Sequence, residues 1–424
     1  MLPRSWLWLW LAALPGTLAC APRGTAPAAP PGRAATRAAP ADHASAPPVL
    51  ARAELEAATS PDPAEAVVSP STPGAEVPFT FDQGPWRLQG TLTWPARREG
   101  GPVPAAVIVP GSGPMSRDGI MRGQLGLGFG FDLPVYERLA AALAARGYAV
   151  LRYDKRTCGP FNGCAENRYP TVPYALRASE FSTFQYLQDA VAAVGALSQH
   201  PGIDDRRVFV VGHSQGGSLV PLLLQVLPSV PAGVMLAPPF HSLDALVDRQ
   251  SARVFWAFTQ AGLPQQAERE RAELAAVATE LRRLEAGTQL GDPILGEPPA
   301  VWASWVRLNL LAPTIARDLE RPLLVLGGDY DYNVEPSEIE AWKTWLRGAR
   351  RVPHEVRVLP CVTHALNCIS QPDPTRIQPQ DIGHDAAPSL VDAVARFLDR
   401  AGPRSPGVRT EPSPPAGAPA QTPG

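Results

Sequence analysis

Gly212-His213-Ser214-Gln215-Gly216 sets a serine between glycines two residues to either side, with one more glycine at Gly217. Val208-Phe209-Val210-Val211 precede it with strand character, and Leu219, Leu222, Leu223 and Leu224 follow as the opening of a helix. A sharp turn between strand and helix strains the serine backbone and exposes its oxygen, and only hydrogen side chains fit at the flanking positions. A serine hydroxyl is a weak nucleophile until a base takes its proton, and that base must be held in one tautomer by an acid. The chain should therefore supply an acid and then a histidine downstream of Ser214.

Two stretches meet this demand in the required order. Pro322-Leu323-Leu324-Val325-Leu326 runs into Gly327-Gly328-Asp329-Tyr330-Asp331-Tyr332-Asn333-Val334, a loop with two aspartates. Val356-Arg357-Val358-Leu359-Pro360 runs into Cys361-Val362-Thr363-His364. An oxyanion hole needs backbone N–H groups aimed at the developing negative charge. One is expected from Gln215, the residue after the nucleophile, and another from the loop that follows the apolar run Ala105 to Val109.

The elements that must position these residues alternate between strand-length apolar runs and longer helical patterns, which predicts an α/β fold with a mostly parallel sheet. Phe79-Thr80-Phe81 and Leu88 to Trp94 predict an opening antiparallel hairpin, and further strands are expected at 105–109, 148–153, 207–211, 233–236, 322–326 and 355–359. Helices are expected over 133–146, 181–199, 214–227, 336–347 and 387–401. From His241 to about Leu319 no strand is legible. There Ala267, Leu274, Val277 and Leu281 recur at helical spacing beneath Glu268, Arg269, Glu273 and Arg282, which predicts a helical insertion.

The chain has 424 residues, and its 38 basic and 40 acidic side chains leave a formal charge of −2, which offers no basic field for nucleic acid. Arg4, the apolar run Trp6 to Leu14, the break at Pro15-Gly16 and the small residues before Cys20 predict an export signal over residues 1–20. Thr17-Leu18-Ala19-Cys20 resembles a loose bacterial lipobox, which makes Cys20 a candidate lipidation site and gives the chain its one expected tie to a membrane. The expected location is therefore the bacterial envelope, as a lipoprotein, or the periplasm or exterior. Residues 21–76 are rich in Ala and Pro and are expected to be a disordered tether; residues 402–424 repeat that composition as a tail. Apart from Cys20, the cysteines form two close pairs, Cys158 with Cys164 and Cys361 with Cys368, as an oxidising compartment would favour. No Cys-x-x-Cys spacing points to zinc.

The segment 77–401 resembles the α/β-hydrolases of the exported bacterial esterase and dienelactone-hydrolase-like group, with the helical cap at about 240–319. In those relatives the acid sits in a G-x-x-D-x-x-V loop, matched here by Gly328 to Val334, and that frame selects Asp331 over Asp329. His364 follows the last strand at the family's place for the base; His384 is the alternative. Pro110-Gly111-Ser112-Gly113-Pro114 resembles the family's Gly-Ser-Gly-Pro segment and implies Ser112 as the second oxyanion donor. Ser116-Arg117-Asp118-Gly119 and Tyr153-Asp154-Lys155-Arg156-Thr157 resemble loop-bracing segments of the same group, Ser116 standing in for an Asp and Thr157 for a Gly. They imply an Asp154–Arg156 ion pair beneath the oxyanion loop. The resemblance implies cleavage of a small-molecule carboxylic ester through an acyl-enzyme on Ser214, with no metal or organic cofactor. A bridge from Cys361 to Cys368 would close a short loop around His364, and Phe255, Trp256, Phe258, Trp302 and Trp305 either line an acyl pocket or form the core of the cap.

Overall fold

A computed structural model describes residues 74–402 except 85, 96–100, 114, 123–131, 159–163, 165–181, 261, 289–293, 295–298 and 372–378. The leader with Cys20, the stretch up to residue 73 and the tail from 403 onward lie outside the described residues.

β1 (Glu76–Gln83) and β2 (Trp86–Thr93) form the opening antiparallel hairpin. Next come β3 (Val103–Val109), a short antiparallel pair β4 (Ile120–Arg122) and β5 (Asp132–Pro134), helix α1 (Val135–Ala144) and β6 (Ala149–Tyr153). After α2 (Thr183–Ser198) the chain runs through β7 (Ile203–His213), α3 (Gln215–Val226) and β8 (Gly233–Leu236). Three helices then intervene, α4 (Leu243–Gln260), α5 (Pro264–Glu285) and α6 (Pro299–Asp318). The order ends with β9 (Leu323–Gly328), α7 (Pro336–Leu346), β10 (Glu355–Leu359) and α8 (Pro388–Ala401).

Eight strands make one sheet in the order β1-β2-β6-β3-β7-β8-β9-β10. From β6 to β10 every neighbouring pair is parallel, and β2 joins β6 antiparallel. The fold is that of an α/β-hydrolase.

Alternation along the strands sorts the core into two layers. Val107, Val210 and Val325 face α2, α3 and α7, with Leu197, Leu223 and Trp342 packed in the same apolar cluster. Ile108, Val211 and Leu326 face the other way, against Tyr136 and Leu139 of α1 and Val394 and Leu398 of α8. Buried on both sides, the central strands read as continuous apolar runs. The pair β4 and β5 was not legible in the sequence, and helix α1 starts later than the expected 133 because residues 132–134 join that pair. Pro134 disfavours helical geometry at Leu133, which explains the later start.

In the insertion, Ala267, Leu274, Val277 and Leu281 of α5 are buried as their spacing predicts. Leu274, Val277 and Leu281 share a separate apolar cluster with Leu246 and Val247 of α4 and Trp302 and Val306 of α6. Leu308, Ala312 and Ala316, farther along α6, belong instead to the cluster beneath the sheet. One helix therefore serves both the insertion and the domain core.

Candidate active site

Ser214 stands between β7 and α3 with φ 53° and ψ −120°, a conformation that costs a non-glycine residue about 1 to 3 kcal/mol. Packing forces the glycines around it. A Cβ on Gly216 would lie 2.2 Å from the Val109 carbonyl oxygen, and one on Gly212 would lie 2.2 Å from that of Gly216. Ser214 N–H donates to Leu236 O on the neighbouring strand at 2.8 Å, which anchors the turn to the sheet.

The acid and base positions lie beyond the ends of β9 and β10. Asp331 is fully buried, and one carboxylate oxygen, Oδ1, accepts from the backbone N–H groups of Asn333 at 2.9 Å and Val334 at 2.8 Å. Its Oδ2 accepts from His364 Nδ1 at 2.9 Å. A carboxylate only accepts, so Nδ1 carries the proton of this hydrogen bond. Asp329 is exposed, and its N–H donates to Leu359 O at 3.0 Å. His384 is also exposed.

The loop carrying His364 is closed in several ways. Thr363 N–H donates to Asn367 O and Ile369 N–H to Cys361 O, each at 2.9 Å. Cys361 and Cys368 form a disulfide across its base, with Cα atoms 4.8 Å apart. Tyr330 N–H reaches over to Val362 O at 3.0 Å and stitches the acid loop to the base loop. Cys158 and Cys164 form the second disulfide, with Cα atoms 5.7 Å apart.

His213 has a part that its sequence position did not suggest. Its Nε2–H donates to the His364 backbone carbonyl at 3.0 Å, and its ring centroid lies 4.7 Å from that of His364. Complete burial, with the neighbouring His364 adding to it, depresses its pKa well below 6.5, so the ring is neutral and Nδ1 is an acceptor. Tyr136 O–H donates to that nitrogen at 3.0 Å and itself accepts from Gly111 N–H at 2.8 Å. Burial also raises the Tyr136 hydroxyl far above the usual tyrosine range, so it remains protonated. This chain of three hydrogen bonds connects the loop after β3 with the backbone of His364. Among the described residues no hydrogen bond joins the Ser214 hydroxyl to the His364 ring; the two positions are linked through His213.

The loop after β3 lies against the serine: a Cβ on Gly111 would be 3.3 Å from Ser214 Cβ. With the Gly111 N–H committed to Tyr136, Ser112 carries the next N–H along the loop. Gln215 is buried at the first turn of α3. Lys155, which the sequence reading left without a role, is buried and donates to Gly111 O at 2.8 Å and to Gln215 Oε1 at 2.7 Å. Nothing in its spacing announces this.

The ion pair implied between Asp154 and Arg156 is not formed. Asp154 instead takes Arg117, with Nη2 to Oδ2 at 2.7 Å and the Arg117 backbone N–H to Oδ1 at 2.6 Å. Arg156 reaches into α2 and pairs with the buried Asp189, Nε to Oδ2 at 2.8 Å. Two residues apart at a strand end, the side chains diverge, and each finds its counter-charge on another element. Asp118 pairs with Arg152, whose Nε lies 3.2 Å from its Oδ1. The loop is thus braced from the sheet by different pairs from the one expected.

Glu338, fully buried on α7, fastens the start of the insertion. It accepts from the backbone N–H groups of Phe240 at 2.6 Å and His241 at 2.9 Å, and it pairs with Arg249 of α4. His241 Nδ1 lies 2.8 Å from its other oxygen, and burial, with Arg249 adding to it, lowers the His241 pKa. Trp302 is buried in the insertion core, stacks on Trp305 at 5.4 Å and donates its indole N–H to Ile294 O at 3.1 Å. Among the described residues no cluster of His, Cys, Asp or Glu is arranged to hold a metal ion, and no helix is long and apolar enough to cross a membrane.

The esterase EstD of Thermotoga maritima is 26% identical over 311 residues, 73% of this chain and 65% of that protein, so the match spans less than two thirds of the relative. Among solved structures, Est1E from Butyrivibrio proteoclasticus is similar at 15% identity and a TM-score of 0.44, over 76% of this chain and 98% of that one. An esterase of Pyrococcus furiosus is similar at 17% identity and a TM-score of 0.46, over 78% and 92% of the respective chains. The model of the Alpha/beta hydrolase family matches residues 106–377, more than half of the chain, and the chain accordingly belongs to that family.

Proposed function

We propose that the chain is a serine hydrolase that cleaves a carboxylic ester of a small molecule, with Ser214 as nucleophile, His364 as base and Asp331 as the acid that orients it. The observation that carries this reading is the buried His364–Asp331 hydrogen bond beside a strained serine at the tip of a strand-turn-helix. As Ser214 Oγ bonds to the ester carbonyl carbon, its proton passes to His364 Nε2 and the π pair moves onto the carbonyl oxygen. The Ser112 and Gln215 N–H groups then receive that negative charge. When the pair returns, the bond to the alcohol breaks, and His364 returns the proton to the leaving oxygen. Water, activated by the same histidine, releases the acid from Ser214.

Export fits this reading, since two disulfides suit an oxidising compartment, and Cys20 is proposed as a lipid anchor. Loss of palmitate labelling in Cys20→Ser tests the anchor. The insertion is proposed as a cap over the site. Trp302, buried and internally bonded, serves the core of that cap.

Fluorophosphonate labelling with mapping of the modified peptide, alongside a panel of esters of rising acyl length, amides and thioesters, tests the reading. Label on Ser214 and preference for esters are expected, and Ser214→Ala should lower turnover by ~10⁴-fold or more. Folded protein that takes no label at Ser214 would overturn the assignment and favour a binding role; faster turnover of amides or thioesters would overturn the ester preference.

A further inference from the structure

Lys155 follows β6 by two residues and is 2% exposed, yet it lies outside the proposed Ser-His-Asp set. Burying an ammonium is costly unless hydrogen-bonding partners offset the loss of water. Here Nζ donates to Gly111 O at 2.8 Å and to Gln215 Oε1 at 2.7 Å, and sits 4.1 Å from the centroid of the Tyr186 ring on α2, a cation–π geometry. Its own backbone is tied to the same region, because Lys155 N–H donates to Met115 O at 3.0 Å.

The two acceptors are informative. Gly111 C=O and Ser112 N–H belong to one peptide unit, so an ammonium on that oxygen draws electron density from the amide and makes the Ser112 N–H a stronger donor. Charge-assisted hydrogen bonds are about twice as strong as neutral ones, and neighbouring bonds polarise one another. Gly111 N–H, in the preceding peptide unit, donates to Tyr136, so the peptides on both sides of the Gly111 Cα are tied. The second acceptor is the side chain of Gln215, whose backbone N–H is the other expected donor.

We propose that Lys155 is a positioning residue of the oxyanion site, aligning the residues that carry both donors and polarising the peptide that bears one of them. This rests on the serine-hydrolase reading above.

A trifluoromethyl ketone, which adds to a nucleophilic serine and leaves a negatively charged oxygen in the hole, reads the effect directly; the matching methyl ketone reports ground-state binding. Lys155→Met should lower kcat on 4-nitrophenyl butyrate by roughly 10- to 100-fold, less than the ~10²- to 10³-fold loss from deleting a donor outright. Affinity for the trifluoromethyl ketone should fall in parallel, with KM and methyl-ketone affinity little changed. Lys155→Gln keeps a hydrogen-bond donor without the charge and should also lose affinity for the trifluoromethyl ketone, whereas Lys155→Arg should recover most of it. Neutral variants that fold and bind the trifluoromethyl ketone as tightly as the parent would overturn the proposal. Should neither neutral variant fold, Gln215→Leu removes one of the lysine's acceptors while keeping both backbone donors, and unchanged trifluoromethyl-ketone affinity there overturns it equally. Fluorophosphonate labelling of the unmodified protein separates the two readings. No label at Ser214 refutes the hydrolase assignment, whereas label at Ser214 with unaltered ketone affinity in the variants refutes only the role of Lys155.

Discussion

At the strand ends, Asp331 accepts from two backbone N–H groups and from His364, the base loop is closed by a disulfide, and His213 and Tyr136 bind that loop to the one after β3. On α5 of the insertion the ion pairs Arg271–Glu268 and Arg283–Glu280 lie on an accessible surface, where such pairs contribute about 0 to 1 kcal/mol. The insertion depends instead on its own apolar cluster and on the buried anchor Glu338. The contrast follows from what each region must do. Groups that exchange a proton must stay within hydrogen-bonding reach of each other, so many short-range bonds define them. An insertion acting as the proposed cap would tolerate adjustment, provided that it remains attached.

Four changes would break or sharpen this contrast. The largest effect is expected at the acid: Asp331→Asn should lower kcat by ~10⁴-fold through loss of the correct histidine tautomer, while Asp329→Asn stays close to the parent. Steady-state kinetics of the two variants decide it, and the reverse ranking would place the acid at 329. Next is the double replacement Cys361→Ser with Cys368→Ser. It should cost about 2 to 3 kcal/mol of unfolding free energy in denaturant titrations and lower kcat; full activity and stability would show that the backbone bonds suffice.

Glu338→Gln should cost about 1 to 3 kcal/mol, because it weakens hydrogen bonds to a buried charge. Its kinetic signature should be a rise in KM for long-chain esters with little change in kcat for a short one, and equal loss on both would argue that the insertion does not select substrate. The smallest effect concerns pH. His213 has its folded-state pKa depressed below 6.5, so below about pH 6.5 the unfolded chain takes up a proton that the folded chain does not. The contribution of His213 is complete above that value and is lost as pH falls toward the folded value, by about 1.4 kcal/mol per pH unit. Thermal melts between pH 7 and 5 should therefore show a shallower acid decline for His213→Gln than for the parent protein; identical slopes would mean that the histidine takes up its proton without unfolding.

Much of the site was legible because its demands are local. The elbow at Ser214 needs glycines at set distances, the strands that end at the acid and base loops are apolar runs of the right length, and the helical spacing on α5 marks the residues that it buries. Those features follow from sterics and from the burial of apolar surface within a few residues, and the chain alone determined them. The family frame added the choice of Asp331.

Tertiary structure decided the partners. Asp154 takes Arg117 rather than Arg156, His213 reaches the backbone of His364, Lys155 joins the loop after β3 to α3, and Glu338 holds residues about a hundred positions earlier. A buried charged or polar side chain is satisfied by whichever donor or acceptor the packed elements bring within about 3 Å. That choice leaves no period or spacing along the chain, and so it becomes visible only when the sheet and helices are assembled.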